Sequence, residues 1–199
     1  MVLKFFIYLC PAKIKKESMA VFRPMRRKRQ QLSDEESEAI LKKGTSGVLA
    51  LLGDEGYPYA VPLSYVYVVS MEHGVDSSGI THKFRQQRLI FHSAVSGHKV
   101  DAIRSCPLAS FCVVEQDVVS EEHFTTFFRS VIAFGRIRIL DDEKEKLAAI
   151  RLLAARYSPH EPQDHVDHEI SKSFPHLLMF ELQIEHLTGK QAIELVGKA

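Results

Sequence analysis

Between Leu89 and Arg104 the chain reads LIFHSAVSGHKVDAIR, a strand, a turn and a helix in sixteen residues. Leu89, Ile90 and Phe91 form a short apolar strand with His92 at its end, and small residues make the turn that follows. Ser96 stands at the expected N-cap, His98 and Lys99 fall in the first helical turn, and Val100, Ala102 and Ile103 mark a short helix. A helix N-terminus presents unpaired N–H groups and the positive end of the macrodipole. Lys99 adds a full charge, so the segment suits a phosphate. An ordinary capped helix with a solvated lysine fits the same residues.

The pattern on either side is mixed α and β. Ser33 caps a predicted helix over Asp34 to Lys43, Glu36 completes a capping box, and Gly44 ends the helix. A strand follows over Thr45 to Leu52, then a hairpin loop, Gly53-Asp54-Glu55-Gly56, then a longer strand from Tyr57 to Val69. One face of that longer strand carries Tyr57, Tyr59, Val61, Leu63, Tyr65 and Tyr67; the other carries Pro58, Ala60, Pro62, Ser64, Val66 and Val68. Pro62 cannot donate to a ladder, so it predicts a sheet edge or a bulge. At such an edge a flat ring can approach the backbone. The same proline also fits a plain device against edge-to-edge pairing.

Ser70 to Gln87 is polar, holds Gly74 and Gly79, and reads as an extended loop between hairpin strands. Further strands are expected at Pro107 to Val114, Phe124 to Leu140 and Leu177 to Ile184. Arg129 shares a strand face with Val131, Ala133 and Gly135, where it can reach an anion or cover apolar neighbours with its stem. Asp141 caps an amphipathic helix through Tyr157, with Leu147, Ile150, Leu153 and Ala154 on one stripe. The histidines and acids between His160 and His168 match no established ligand spacing, and no metal site is assigned. About six strands with short links make a small, mainly β (α+β) antiparallel barrel with peripheral helices.

Composition narrows the function. The 199 residues are 45% hydrophobic, enough for one substantial core, and a net charge of +1 makes no case for nucleic acid. Three cysteines without CxxC spacing argue against a disulfide framework or a structural zinc site and fit a reducing cytoplasm. The apolar run Met1 to Cys10 is too short to span a bilayer, and no cleavage site follows it. Residues 1–31, with the basic cluster Arg23 to Arg29, read as a tail. Residues 32–190 read as the folded domain, and 191–199 as a C-terminal tail. The chain lacks GxGxxG after a strand, a P-loop, HExxH and GxSxG. Ser93 points away from His92 on a strand, which leaves nucleophilic hydrolysis without support.

From about Met25 to Lys190 the chain resembles the nitroimidazole-resistance family of pyridoxamine 5′-phosphate oxidase-like, flavin-binding split barrels. The resemblance rests on MRRKRQQLSDEE, GVLALLGDEGYPYAVPLSYVY, IFHSAVSGHKVDAIRSCP, FRSVIAFGRIRIL and IEHLTGK, in that order. It implies a six-stranded split barrel that forms a homodimer with FMN, or FAD in some members, at the subunit interface. It further implies flavin contacts at Val61, Pro62, Leu63, Ser64, Phe91, His92, Ser93, His98 and Lys99. Arg129 and Ser130 are candidates to reach the partner's cofactor. His92 matches the family's active-site histidine. The expected activity is reduction of a small molecule such as a nitroimidazole; a flavin carrier or redox sensor, or a B6-vitamer oxidase, are the alternatives. Three features depart from the family pattern: the length of Ser70 to Gln87, Phe174 where many members have tryptophan, and residues 1–24.

Overall fold

The computed structural model describes residues 21–75 and 78–197. The apolar run at the N-terminus and the lysines after it lie outside the described residues. Among the described residues seven strands form one antiparallel sheet: β1 (Ser46–Leu52), β2 (Pro58–Ser64), β3 (Val66–Val75), β4 (Thr81–Ala94), β5 (Leu108–Ser120), β6 (Thr125–Ile139) and β7 (Leu177–Gln191). Four α-helices of the described residues accompany it: α1 (Asp34–Lys43), α2 (His98–Ser105), α3 (Glu143–Tyr157) and α4 (Gln163–Ser173).

The strand order is β2-β1-β5-β6-β7-β4-β3, so β2 and β3 are the two edges. Only Tyr65 separates these edges along the chain. The sheet must therefore curl until its edges meet at one residue, which makes an incompletely closed barrel of seven strands rather than six. The extra strand arises because the expected single strand Tyr57 to Val69 breaks at Tyr65. The stretch read as a loop, Ser70 to Gln87, is instead mostly paired: β3 and β4 run in register from Val66↔Ile90 to Val75↔Thr81. The backbone ladder prevails there over the polar composition. The last strand also runs on through Gln191, because residues 184–191 find a partner in β6.

The split has a visible cause. β4 pairs with β7 only from Arg88 to Ala94, and its first half leaves β7. Helix α1 fills the gap. Its capping box forms as expected, with Ser33 Oγ accepting from Glu36 N–H and the Glu36 carboxylate accepting from Ser33 N–H. Ile40 and Leu41 enter the barrel core. The Glu38 carboxylate, facing the departing hairpin, accepts from Arg85 at 2.8 and 2.6 Å and from Gln87 at 2.8 Å. Arg85 holds the Glu38 carboxyl below its ordinary value, and burial pushes the neighbouring Tyr67 phenol up to about 12.

Residues 21–31 lie against the barrel. Phe22 stacks on His186 at 4.5 Å, Gln30 is buried, and Gln31 bridges to Lys190. Cys106 is buried and disulfide-bonded, against the expectation of no disulfide; Cys112 is free. Among the described residues no helix is long and apolar enough to cross a membrane.

Alternation along β4 divides two cores. Leu89 and Phe91 point into the barrel, where Phe91 stacks on Phe180 at 5.1 Å and meets Phe111 edge-on. Ile90 points outward into a second cluster with Met179, Leu140, Ala149, Leu153 and Leu177, beneath α3. His92 follows on that same outer face.

Candidate functional site

The outer end of β4 and the edge strand β2 come together beside α3 and α4. The β3–β4 ladder ends with Val66 opposite Ile90, and His92 lies two residues beyond Ile90 on β4, while Ser64 ends β2 two residues before Val66. His92 and Ser64 line one cavity of about 400 Å³, whose far wall is built by Ile150, Leu153 and Ala154 of α3 and Ile170 of α4. Pro62 sits on the edge strand opposite Val48, as its missing N–H requires. The side chains of Pro62 and Ser64 are exposed, while Val61 and Leu63 turn inward against the barrel core. Phe91, fully buried, likewise offers a ligand only its backbone.

The helix that follows starts one residue later than expected. Gly97, not Ser96, is the N-cap of α2, at φ +123°, a conformation that favours glycine. Its carbonyl accepts from the N–H of Val100 and Asp101, so no side-chain cap is needed. Space beside Gly97 is open. Lys99 Nζ reaches to 3.5 Å of Ser93 Oγ, and Ser93 is itself buried, on the opposite face from exposed His92. His98 stacks on Tyr59 at 4.0 Å, with its Nε2 3.6 Å from the Asp54 carboxylate, which ties the helix start to the β1–β2 turn. Lysine, helix-start N–H groups and an open glycine make a donor set that fits a phosphate. The small-residue edge of β2 fits a planar ring. The group whose two parts these would hold is the phosphate-bearing flavin that the resemblance implies.

Arg129 and Ser130 are not brought to this cluster within one chain. Ile139 of β6 is level with Phe180 and hence with Phe91, whereas Arg129 lies ten residues earlier on the same strand, roughly 30 Å of extended chain away. Its guanidinium faces the chain's own carboxylates, Glu36 at 3.3 Å and Glu115 at 3.7 Å. A register shift between Val114 and Gln116 falls at Glu115. The histidine and acid stretch forms α4 and its approach, where His165 pairs with Glu161 at 2.7 Å. Among the described residues no three His, Cys, Asp or Glu side chains are grouped to hold a metal.

Sequence reading missed the cavity's far wall. The apolar stripe on α3 was legible, but nothing local says that it faces His92 rather than solid core. Helix α3 also starts one residue later than expected, with Asp142 as N-cap accepting from the N–H of Lys144 and Glu145. Tyr157, its last residue, lines the same cavity.

A family model described as pyridoxamine 5′-phosphate oxidase matches residues 33–191. No curated protein matches the chain in sequence. Several solved structures share its fold. A FAD-binding protein from Mesorhizobium loti is 24% identical, with a TM-score of 0.53, covering 82% of this chain and 97% of that one. A putative 5-nitroimidazole antibiotic resistance protein from Bacteroides thetaiotaomicron is 17% identical, with a TM-score of 0.56, covering 81% and 86%. A FAD and heme binding protein from Mycobacterium smegmatis is 19% identical, with a TM-score of 0.59, covering 82% and 73%.

Proposed function

Because the chain belongs to the pyridoxamine 5′-phosphate oxidase family, we propose that it is a flavin-dependent reductase of small molecules, with nitroimidazole-type compounds among its substrates. The observation that carries this reading is that His92 and Ser64 line one cavity while the Lys99 helix start follows His92 by six residues on the other face of β4. Fold likeness to proteins named for FAD binding and for nitroimidazole resistance supports it.

In this reading the Pro62–Ser64 edge would hold the ring of FMN or FAD, which when bound would supply the electrons. Lys99 and the N–H groups of His98 and Lys99 hold a phosphate; Ser93 steadies the lysine. Helices α3 and α4 keep water from the outer side of the site. The His92 imidazole, which makes no side-chain hydrogen bond to the described protein, is free to give a proton to the reduced substrate.

A homodimer completes the proposal. The outer face of β1, β2 and β5 leaves Val48, Pro62, Leu108 and Val114 exposed, a surface a second copy can cover. In such a pair, Arg129 and Ser130, remote from their own chain's site, can serve the partner's. A flavin carrier or sensor is the second reading, and turnover separates the two.

The test starts from the purified protein: its absorption spectrum, chromatography of the released cofactor, and reduction of a nitroimidazole. His92→Ala and His92→Gln should keep the flavin and slow reduction by roughly a hundredfold, the lower range of general acid catalysis. Parental rates in both variants would limit His92 to orienting the ligand. A parent that binds flavin yet never turns the compound over would favour the carrier reading.

A further inference from the structure

The cavity beside His92 has a chemistry of its own. Its wall from α3 and α4 is aliphatic, and no Lys, Arg, Asp or Glu lines it among the described residues. Four polar side chains reach it, and two are already committed. The Tyr157 hydroxyl is bound to the backbone of Tyr65 and Thr45. Ser173 Oγ donates to the Glu169 and Ile170 carbonyls of its own helix. His92 and Ser64 remain, with no side-chain partner in the described protein, and both line this otherwise apolar space. The neighbouring cavity between α3 and β7 is the opposite case, lined by Arg88, Arg138, Glu145 and Glu181. The contrast is local to the α3–α4 side and does not reflect a generally apolar surface.

We infer that the His92 cavity binds an uncharged, ring-shaped small molecule by apolar packing against α3 and α4. One polar oxygen of the ligand, a carbonyl or nitro oxygen, is hydrogen-bonded by His92 and Ser64, and phosphate esters are rejected. The volume of about 400 Å³ suits one compact ligand. A phosphate brought here would lose its hydration with no lysine or arginine to meet it, since Lys99 is engaged with Ser93 on the other face of β4. The ligand class follows from the cavity alone; its role as substrate rests on the flavin reading above.

The experiment uses the full chain, as purified and after loading with FMN, with menadione as the uncharged probe and pyridoxine 5′-phosphate as the charged one. Binding is followed by calorimetry, and bound flavin by its absorbance. Menadione should bind, and pyridoxine phosphate should not compete at fiftyfold excess. Ala154→Trp, which fills the cavity, should weaken menadione at least tenfold while flavin stays bound. The chain has no tryptophan, so the new indole also reports by fluorescence whether the site has kept its fold. Ile150→Lys, at a half-buried position, should weaken menadione and admit pyridoxine phosphate. Unchanged menadione affinity in both variants, or competition by the phosphate in the parent, would overturn the inference. Loss of flavin together with menadione in Ala154→Trp would also overturn it, by making the cavity the ring site itself, and would leave the flavin reading intact. Menadione binding that is sensitive to Ala154→Trp in a protein that takes up no flavin would support the inference and end the flavin reading.

Discussion

The hydroxyl of Tyr157, at the end of α3, meets both backbone polar groups of Tyr65, accepting from its N–H at 3.0 Å and donating to its C=O at 2.7 Å. Tyr65 is the residue at which one strand ends on one sheet edge and the next begins on the other. Its amide keeps only a long backbone bond, to the Thr45 carbonyl at 3.4 Å, its carbonyl has no backbone donor among the described residues, and an unpaired backbone group is costly. The side chain of Tyr65 is fully buried and donates from its own hydroxyl to the Leu41 carbonyl at 2.8 Å. Burial raises its phenol far above the ordinary value, so it stays a neutral donor at any working pH. One tyrosine thus seals the barrel inside, and the other satisfies the seam outside.

Tyr157→Phe should therefore destabilise the fold by about 1–3 kcal/mol, the range for a buried polar group left unsatisfied. Urea unfolding measures the loss. Amide exchange should rise at Tyr65 before it rises in the barrel core. Equal exchange at Tyr65 in both proteins would mean that water replaces the hydroxyl without penalty.

The clasp between α1 and the departing hairpin carries a pH signature. Arg85 depresses the Glu38 carboxyl in the folded state, so the folded protein binds fewer protons there than the unfolded chain as the medium becomes acidic. Its contribution is complete at neutral pH and is lost as pH falls through the folded value, below 4.5. Glu38→Gln should cost about 1–2 kcal/mol at pH 7, discounted for the half-exposed Arg85 partner. The difference from the parent should shrink towards pH 3. A gap independent of pH would assign the effect to packing.

Gly135 sits at the register shift where β6 meets β7, and a methyl there would collide with the Gln183 carbonyl. Backbone cannot yield as a flexible side chain can. Gly135→Ala should cost about 3 kcal/mol or more, read as a lowered unfolding midpoint or as loss of soluble protein. Gly79→Ala provides a contrast. Its added methyl meets nothing, so only the strain of its φ of +79° remains, and the loss should be about 1 kcal/mol.

Lys99→Ala should weaken flavin by roughly 1.5–3 kcal/mol, about ten- to 150-fold, the scale of a charge-assisted hydrogen bond. Titration of the apoprotein followed by flavin fluorescence measures it. Arg129→Ala should weaken flavin only in the dimer, if its guanidinium reaches the partner's cofactor. Unchanged affinity in Lys99→Ala would move the phosphate elsewhere.

Local features of this chain were legible in its sequence because their causes are local. Ser33 and Glu36 sit three residues apart and so cap α1 whatever surrounds them; Pro62 lacks an N–H and so falls on an edge; His92 and Ser93 alternate and so face opposite sides of β4. The family motifs likewise fixed the kind of fold. Tertiary structure alone decided that the chain breaks at Tyr65, that residues 70–75 and 81–87 pair as a ribbon, and that Arg129 spends its charge on Glu36 and Glu115. It also decided that helices far along the chain wall the space beside His92. Each of these depends on groups tens of residues away finding hydrogen-bond or packing partners, and such pairings leave no period or spacing in the residues themselves.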